Sequence, residues 1–316
     1  MKNLITTLIL ITVVPTFLIF IACENTTAPD INEIVEALEE IVLADSVIMI
    51  DGLDDEGAID LEYSEGLEKA VGDTFPYDFF LVRFGKKFSG SLNKDVHIEV
   101  NGDTAIALIT TTINAKFIIH LLDTTNSTVT VIDSVKKDFT ITTKQNLKIA
   151  KFRNTGNPRK DWKVVAFTPI LGRSDNCDLE ITNIKLFYLD TTVMDISNDQ
   201  NESLLDFYIG RDTFIHFKPN VRFDVLMTVE NPTPFIYEPS ELALVHYGLR
   251  RGLLKIRKPL LDPENDNTFT GKIKMHGHNS HMCRIYFDLI DLASIFDKNA
   301  PVNFTFWGLP YRVRRH

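Results

Sequence analysis

GDTAIALITTTINAKFIIH, residues 102–120, is the stretch that decides the fold. From Thr104 to His120 it is rich in Ile, Thr and Phe, alternates polar with apolar positions and contains no proline. That is the pattern of a half-buried β-strand, here one long enough to bend. The neighbouring sequence continues in the same way. Thr128–Val135, Lys137–Phe152 and Trp162–Ile170 read as further strands, set apart by the turn-forming residues Asn126-Ser127 and Asn154–Lys160. An antiparallel meander is therefore expected across the first half of the chain.

Upstream the period changes. Asp30 followed by Glu33 forms a capping-box-like start, and Ile31, Ile34, Val35, Leu38, Ile41 and Val42 recur at helical spacing. This predicts an amphipathic helix running to about residue 49, ended by Asp51-Gly52, and a second short helix near Ser64–Val71. Helices followed by a meander make an α+β pattern. The hairpin GNPRKDWKVVAFTPI (156–170), in which Trp162 opens the last strand, and GDTAIALITTTI (102–113) together resemble the ketosteroid isomerase-like, SnoaL-like cone of the nuclear-transport-factor-two superfamily. The resemblance covers residues 30–172 and rests on pattern. It implies helices packed on a curved antiparallel sheet, with a pocket inside the cone. In ketosteroid isomerase an Asp base works there beside a tyrosine and a protonated Asp. Tyr63, Tyr77, Asp78, His97 and His120 are the residues of this chain that could face such a pocket, although none maps onto a catalytic position of the family. Members of the superfamily include enzymes, ligand binders and structural modules, so the fold leaves the function open.

Leu171–Asp178, with Gly172, Ser174, Asp175 and Asn176, reads as a linker. Beyond it the chain is strand-rich. Leu179–Leu189 is largely apolar, and Val221, Phe223, Val225, Met227 and Val229 alternate strictly. Further strands are expected at Glu241–Leu249, Leu253–Arg257, Thr268–Met275, Met282–Ile290 and Val302–Trp307. The segment FKPNVRFDVLMTVENPTP (217–234) is similar to the part of immunoglobulin-like and fibronectin-like sandwiches where a proline-containing turn enters a strand. The expected fold class is thus an α+β cone over 30–172 followed by an all-β immunoglobulin-like sandwich over 178–313.

The amino-terminal stretch carries an address. Leu4 to Ala22 contains no charge, follows Lys2, and is close to the ~20 apolar residues that span a bilayer. A secretory signal and an uncleaved anchor both fit this pattern. An apolar run ending Phe20-Ile21-Ala22-Cys23 resembles the lipobox of bacterial lipoproteins, with Phe20 where Leu is usual. That resemblance implies a signal peptide over 1–22, lipidation of Cys23, a tether over 23–29, and a body held on a membrane of the cell envelope outside the cytoplasm.

Composition narrows the partners. Net charge is -10, against the clustered Lys and Arg that a phosphate backbone requires, so nucleic acid is not expected. Of three cysteines, Cys177 and Cys283 remain after Cys23, and in an oxidising compartment they could bridge or stay as thiols. His276, His278 and His281 lie near Cys283 and offer ligands to zinc or copper, but their spacing follows no established zinc pattern and the plainer reading is a polar turn between two strands. The acidic runs Asp51–Glu62 and Asp262–Asp266 lack calcium-loop spacing. There is no Gly-rich phosphate loop, no Gly-x-Ser-x-Gly and no Cys-x-x-Cys, so no cofactor is implied. The leading reading is a non-catalytic binding or structural module contacting an envelope protein or a small apolar ligand. The competing class is an envelope hydrolase or isomerase using the cone pocket, and a third is an adhesin using the carboxy-terminal sandwich on the cell surface.

Overall fold

The computed structural model describes residues 29–48, 50, 53–54, 59–60, 81–123, 130–175, 177–198, 203–213, 215–234, 240–249, 254–277 and 282–314. Helix α1 (Ile31–Ala44) is followed by β1 (Ile59–Asp60), β2 (Leu81–Phe88), β3 (Asn93–Asn101), β4 (Thr104–Asp123), β5 (Thr130–Lys151), β6 (Trp162–Phe167) and β7 (Ile170–Ser174). Then come β8 (Glu180–Tyr188), β9 (Thr191–Ser197), β10 (Ile209–Gly210), β11 (Ile215–Phe217) and β12 (Arg222–Glu230). The last strands are β13 (Glu241–Leu249), β14 (Leu254–Leu260), β15 (Thr268–Lys274), β16 (Cys283–Asp291) and β17 (Phe304–Val313). Single helical turns lie at Ser46–Ile48, Pro158–Asp161, Leu204–Asp206 and Ala293–Phe296. The protein is mostly β: a curled, half-barrel-like, largely antiparallel sheet and a separate four-stranded antiparallel sheet.

The spine is the β4–β5 hairpin, whose strands of 20 and 22 residues pair from Thr104↔Ala150 to Asp123↔Thr130. Where two strands were expected between Thr128 and Phe152, the chain makes one. Its polar middle stays in the sheet because β4 supplies hydrogen-bond partners along the whole length. At the turn into β4, Gly102 has φ +60, which a two-residue primed hairpin turn with glycine first requires. One face of β4 carries Ala105, Ala107, Ile109, Ile113, Phe117 and Ile119, all buried, as the alternation predicts. The spine has different neighbours at its two ends. Near Thr104 it pairs with β3 and β6, and near Asp123 with β2.

Helix α1 covers the first end. Asp30 caps it by accepting from Asn32 N at 3.0 Å, and the helix stops at Ala44 rather than near 49 because Asp45 is extended. Its Leu38 and Val42 pack with Ala107, Leu147, Trp162 and Phe167. The second helix expected near Ser64–Val71 lies outside the described residues.

The stretch read as a linker, Leu171–Asp178, is in part a strand of the large sheet. The first half of the supposed linker belongs to β7, which pairs with β5 on one side and β17 on the other. The large sheet therefore runs without a break in the order β1-β2-β4-β5-β7-β17-β16-β13-β14. Strands β3 and β6 flank the β4–β5 spine, β10 extends β6, and β11 pairs with β17 in parallel. The smaller sheet, β15-β12-β8-β9, packs on the outer face of β13, β16 and β17 through Val225, Met227, Ile184, Val245, Phe287 and Leu309. The inner face of the same strands belongs to a different core with β2, β4 and β5, through Phe84, Phe117, Leu244, Ile290, Phe304 and Phe306. Strand β16 is consequently buried at every position. Its near-continuous apolar run reflects cover on both faces.

Candidate functional site

Two places in this architecture concentrate polar chemistry against apolar walls. The first is the half-barrel interior. Alternation along β2, β13, β14 and β16 turns Lys86, His246, Arg257, Arg284 and Asp288 toward the inner core, and each is buried. Lys86 Nζ donates to Asp288 Oδ2 at 2.6 Å, and His246 Nε2 lies 2.8 Å from the same oxygen. The Lys86 ammonium also stands 3.9 Å from the centroid of the Phe304 ring, and the Arg257 guanidinium 4.1 Å from that of Phe84. Arg257 Nη1 donates to Phe84 O at 3.1 Å. Arg284 Nη2 donates to Ser46 O at 2.5 Å and Val47 O at 3.1 Å, which pins the turn after α1 to β16.

The electrostatics follow from these distances. Burial works against an ionised Asp288, yet the adjoining His246 and Lys86 hold its carboxyl well below the usual range. Burial pushes the His246 imidazole down, against the pull of Asp288, and the nearby Lys86 and Arg257 charges push the same way. Asp288 is a structural counter-ion to Lys86, and both side chains are completely buried.

The second place is a cleft of about 330 Å³ where the large sheet meets the edge of the small one. Its apolar lining includes Leu171, Ile181, Leu204, Phe306 and Trp307. Lys144, Arg173, Glu180 and Asn198 supply polar groups, with the hydroxyls of Thr142 and Thr305 between them. Register explains the grouping: Thr142 pairs with Arg173, Lys144 with Leu171, and Thr305 and Trp307 with Arg173 and Leu171. Three adjacent strands thus present one face to the cleft. Asn198 Nδ2 donates to Glu180 Oε1 at 2.5 Å, closing the side formed by the small sheet.

The residues singled out in the sequence fall mostly elsewhere. His97 is exposed, 3.5 Å from Glu99, on the outer edge of β3. His120 lies on the face of β4 opposite Ile119 and Leu121, away from the inner core. The strand alternation that buries their neighbours turns both away from a cone pocket. Tyr63, Tyr77 and Asp78 lie outside the described residues, as do Cys23, His278 and His281. His276 and Cys283 do meet, Nε2 to Sγ 3.7 Å, and both are buried. Among the described residues no group of three potential ligands comes together.

The Cys177–Cys283 bridge does not form, since both are buried free thiols. Cys177 sits beside Phe304 and Cys283 opposite Tyr311, at the two ends of β17. A run of about seven residues at ~3.3 Å each separates those ends, far beyond the ~7 Å a disulfide allows between Cα atoms.

Lys86, His246 and Asp288 were not singled out in the sequence, nor were the cleft residues. Asp288 alone carried a signal: one acid inside the apolar run Ile285–Ile290. Lys86, in Gly85-Lys86-Lys87, reads as exposed. Comparison with family models, with curated proteins and with solved structures finds no match to this chain.

Proposed function

We propose that this chain is a membrane-anchored lipoprotein of the bacterial cell envelope, acting as a non-catalytic binding module for a small apolar ligand. In finer terms, its first part is a cone of the ketosteroid isomerase-like type and its second an immunoglobulin-like pair of sheets, the two sharing strands. Helix α1 on the curved β3–β6 region supports the cone reading, and the two-sheet core around Met227 and Phe287 supports the second. The apolar leader ending at Cys23 supports the membrane anchor. Among the described residues no helix is long and apolar enough to cross a membrane.

The observation that carries the binding reading is how space is distributed. The half-barrel interior holds its own Phe84, Phe117, Phe304 and Phe306, each fully buried, and its ionisable pair is neutralised internally. The cleft on the outer face is open and lined by both apolar and polar groups, within the size range of small-ligand sites. Asp288 and His246, ionisable groups of the half-barrel interior, lie beneath its packing.

Metabolic labelling with palmitate and membrane fractionation test the anchor. The wild-type chain is expected to take the label and sediment with membranes, and Cys23→Ser to lose the label. Equal labelling of the two would remove the lipoprotein reading. Native mass spectrometry of the detergent-purified chain tests the module. A retained small ligand that is lost in the cleft-filling variant Thr142→Phe supports it, and retention unchanged by that variant counts against the cleft.

A further inference from the structure

We infer that the cleft takes a small anionic amphiphile: an apolar body lying on Trp307, Ile181 and Leu204, with a single carboxylate held at the mouth by Arg173 and Lys144. This rests on the binding reading of the same cleft. Three observations carry it. The cleft is lined by the apolar side chains of Leu171, Ile181, Leu204 and Trp307, so an apolar surface is the complement that avoids burying unpaired polar groups there. Arg173 and Lys144 are exposed, stand on neighbouring strands, and make no ion pair among the described residues. The cleft's one carboxylate, Glu180, already accepts from Asn198. That leaves an excess of positive charge at the rim of an apolar hollow in a protein whose overall charge is -10. Arg173 presents a planar fork suited to a carboxylate, and Lys144 a second positive charge beside it. Thr142, opposite Arg173 and two residues from Lys144 on its strand, adds a hydroxyl to the same lining.

The chain's two tryptophans make the test internally controlled. Trp307 lines the cleft, whereas Trp162 is packed beneath α1 in a separate core. The full chain, labelled with 5-fluorotryptophan in detergent, is titrated with 4-phenylbutyrate and with 4-phenylbutan-1-ol, which share a body and differ in the carboxylate. The Trp307 fluorine signal is expected to move saturably with both while the Trp162 signal stays. The acid should bind roughly tenfold more tightly than the alcohol, the scale of one partly exposed charge-assisted contact. Arg173→Gln should bring the acid to the affinity of the alcohol, and Lys144→Gln should weaken the acid by a smaller factor. The unmoved Trp162 signal reports that each variant is folded. Equal affinity of acid and alcohol for the wild-type chain would overturn the anionic class and leave the cleft as a binding site. A Trp307 signal that moves with neither compound would overturn both.

Discussion

At the scale of single residues, the decisive group is Asp288. It is the acid of a completely buried pair with Lys86 and lies in contact with His246, while the Phe304 ring stands against the Lys86 ammonium. Removing one member of such a pair leaves an uncompensated buried charge, which costs ~3–5 kcal/mol. Asp288→Asn is therefore expected to lose stability on that scale in denaturant titrations at pH 7. The double change Lys86→Met with Asp288→Leu should lose much less, because both charges go together. The pH dependence has a definite sign. Asp288 has a folded-state pKa below its unfolded value, so its contribution is complete above the unfolded pKa of ~3.9 and falls away as pH drops through the folded one. The gap between wild type and Asp288→Asn should accordingly narrow as pH falls below about 4. A gap that stayed constant down to pH 2 would show that the ion pair is not its source.

At the scale of elements, β7 explains why part of the fold was illegible. Gly172, Ser174 and Asp175 have the composition of a loop, yet each of the first two has a packing role. Gly172 faces Phe306 so closely that a Cβ there would lie 2.1 Å from the ring's Cε1. Ser174 Oγ accepts from Phe304 N at 3.0 Å. A small residue and a hydroxyl were selected by a neighbouring strand about 130 positions away in sequence, and no local pattern records that. Gly172→Ala should force Phe306 off its rotamer and cost ~1–3 kcal/mol, with Phe306→Leu recovering part of the loss in the double variant. Full additivity of the two changes in thermal unfolding would mean that the ring and the glycine are not coupled. The split between β6 and β7 was equally hidden. Thr168 and Pro169 interrupt the pairing with β5, and Gln145 and Asn146 bond to Thr168 instead.

At the scale of the whole molecule, one sheet serves both halves. Lys86 and Asp288, 202 positions apart, meet in a core to which β2, β4, β5, β13, β16 and β17 all contribute. Such sharing predicts a single unfolding transition, with Trp162 fluorescence, Trp307 fluorescence and far-ultraviolet circular dichroism changing together. Two separated transitions, one for each tryptophan, would restore independent domains. The amino-acid sequence by itself determined the strand-rich composition, the long bending strand after Gly102, the capped helix at Asp30, and the alternation that buries Val225 and Met227. These are local periodicities, written residue by residue along the chain. Only the tertiary structure decided that β7 joins two sheet regions, that Lys86 is buried while His97 is not, and that Arg173 and Trp307 share a cleft. Those outcomes depend on which strands pair across long separations, and the free energy that selects the pairing comes from surfaces that meet only when the whole chain has folded.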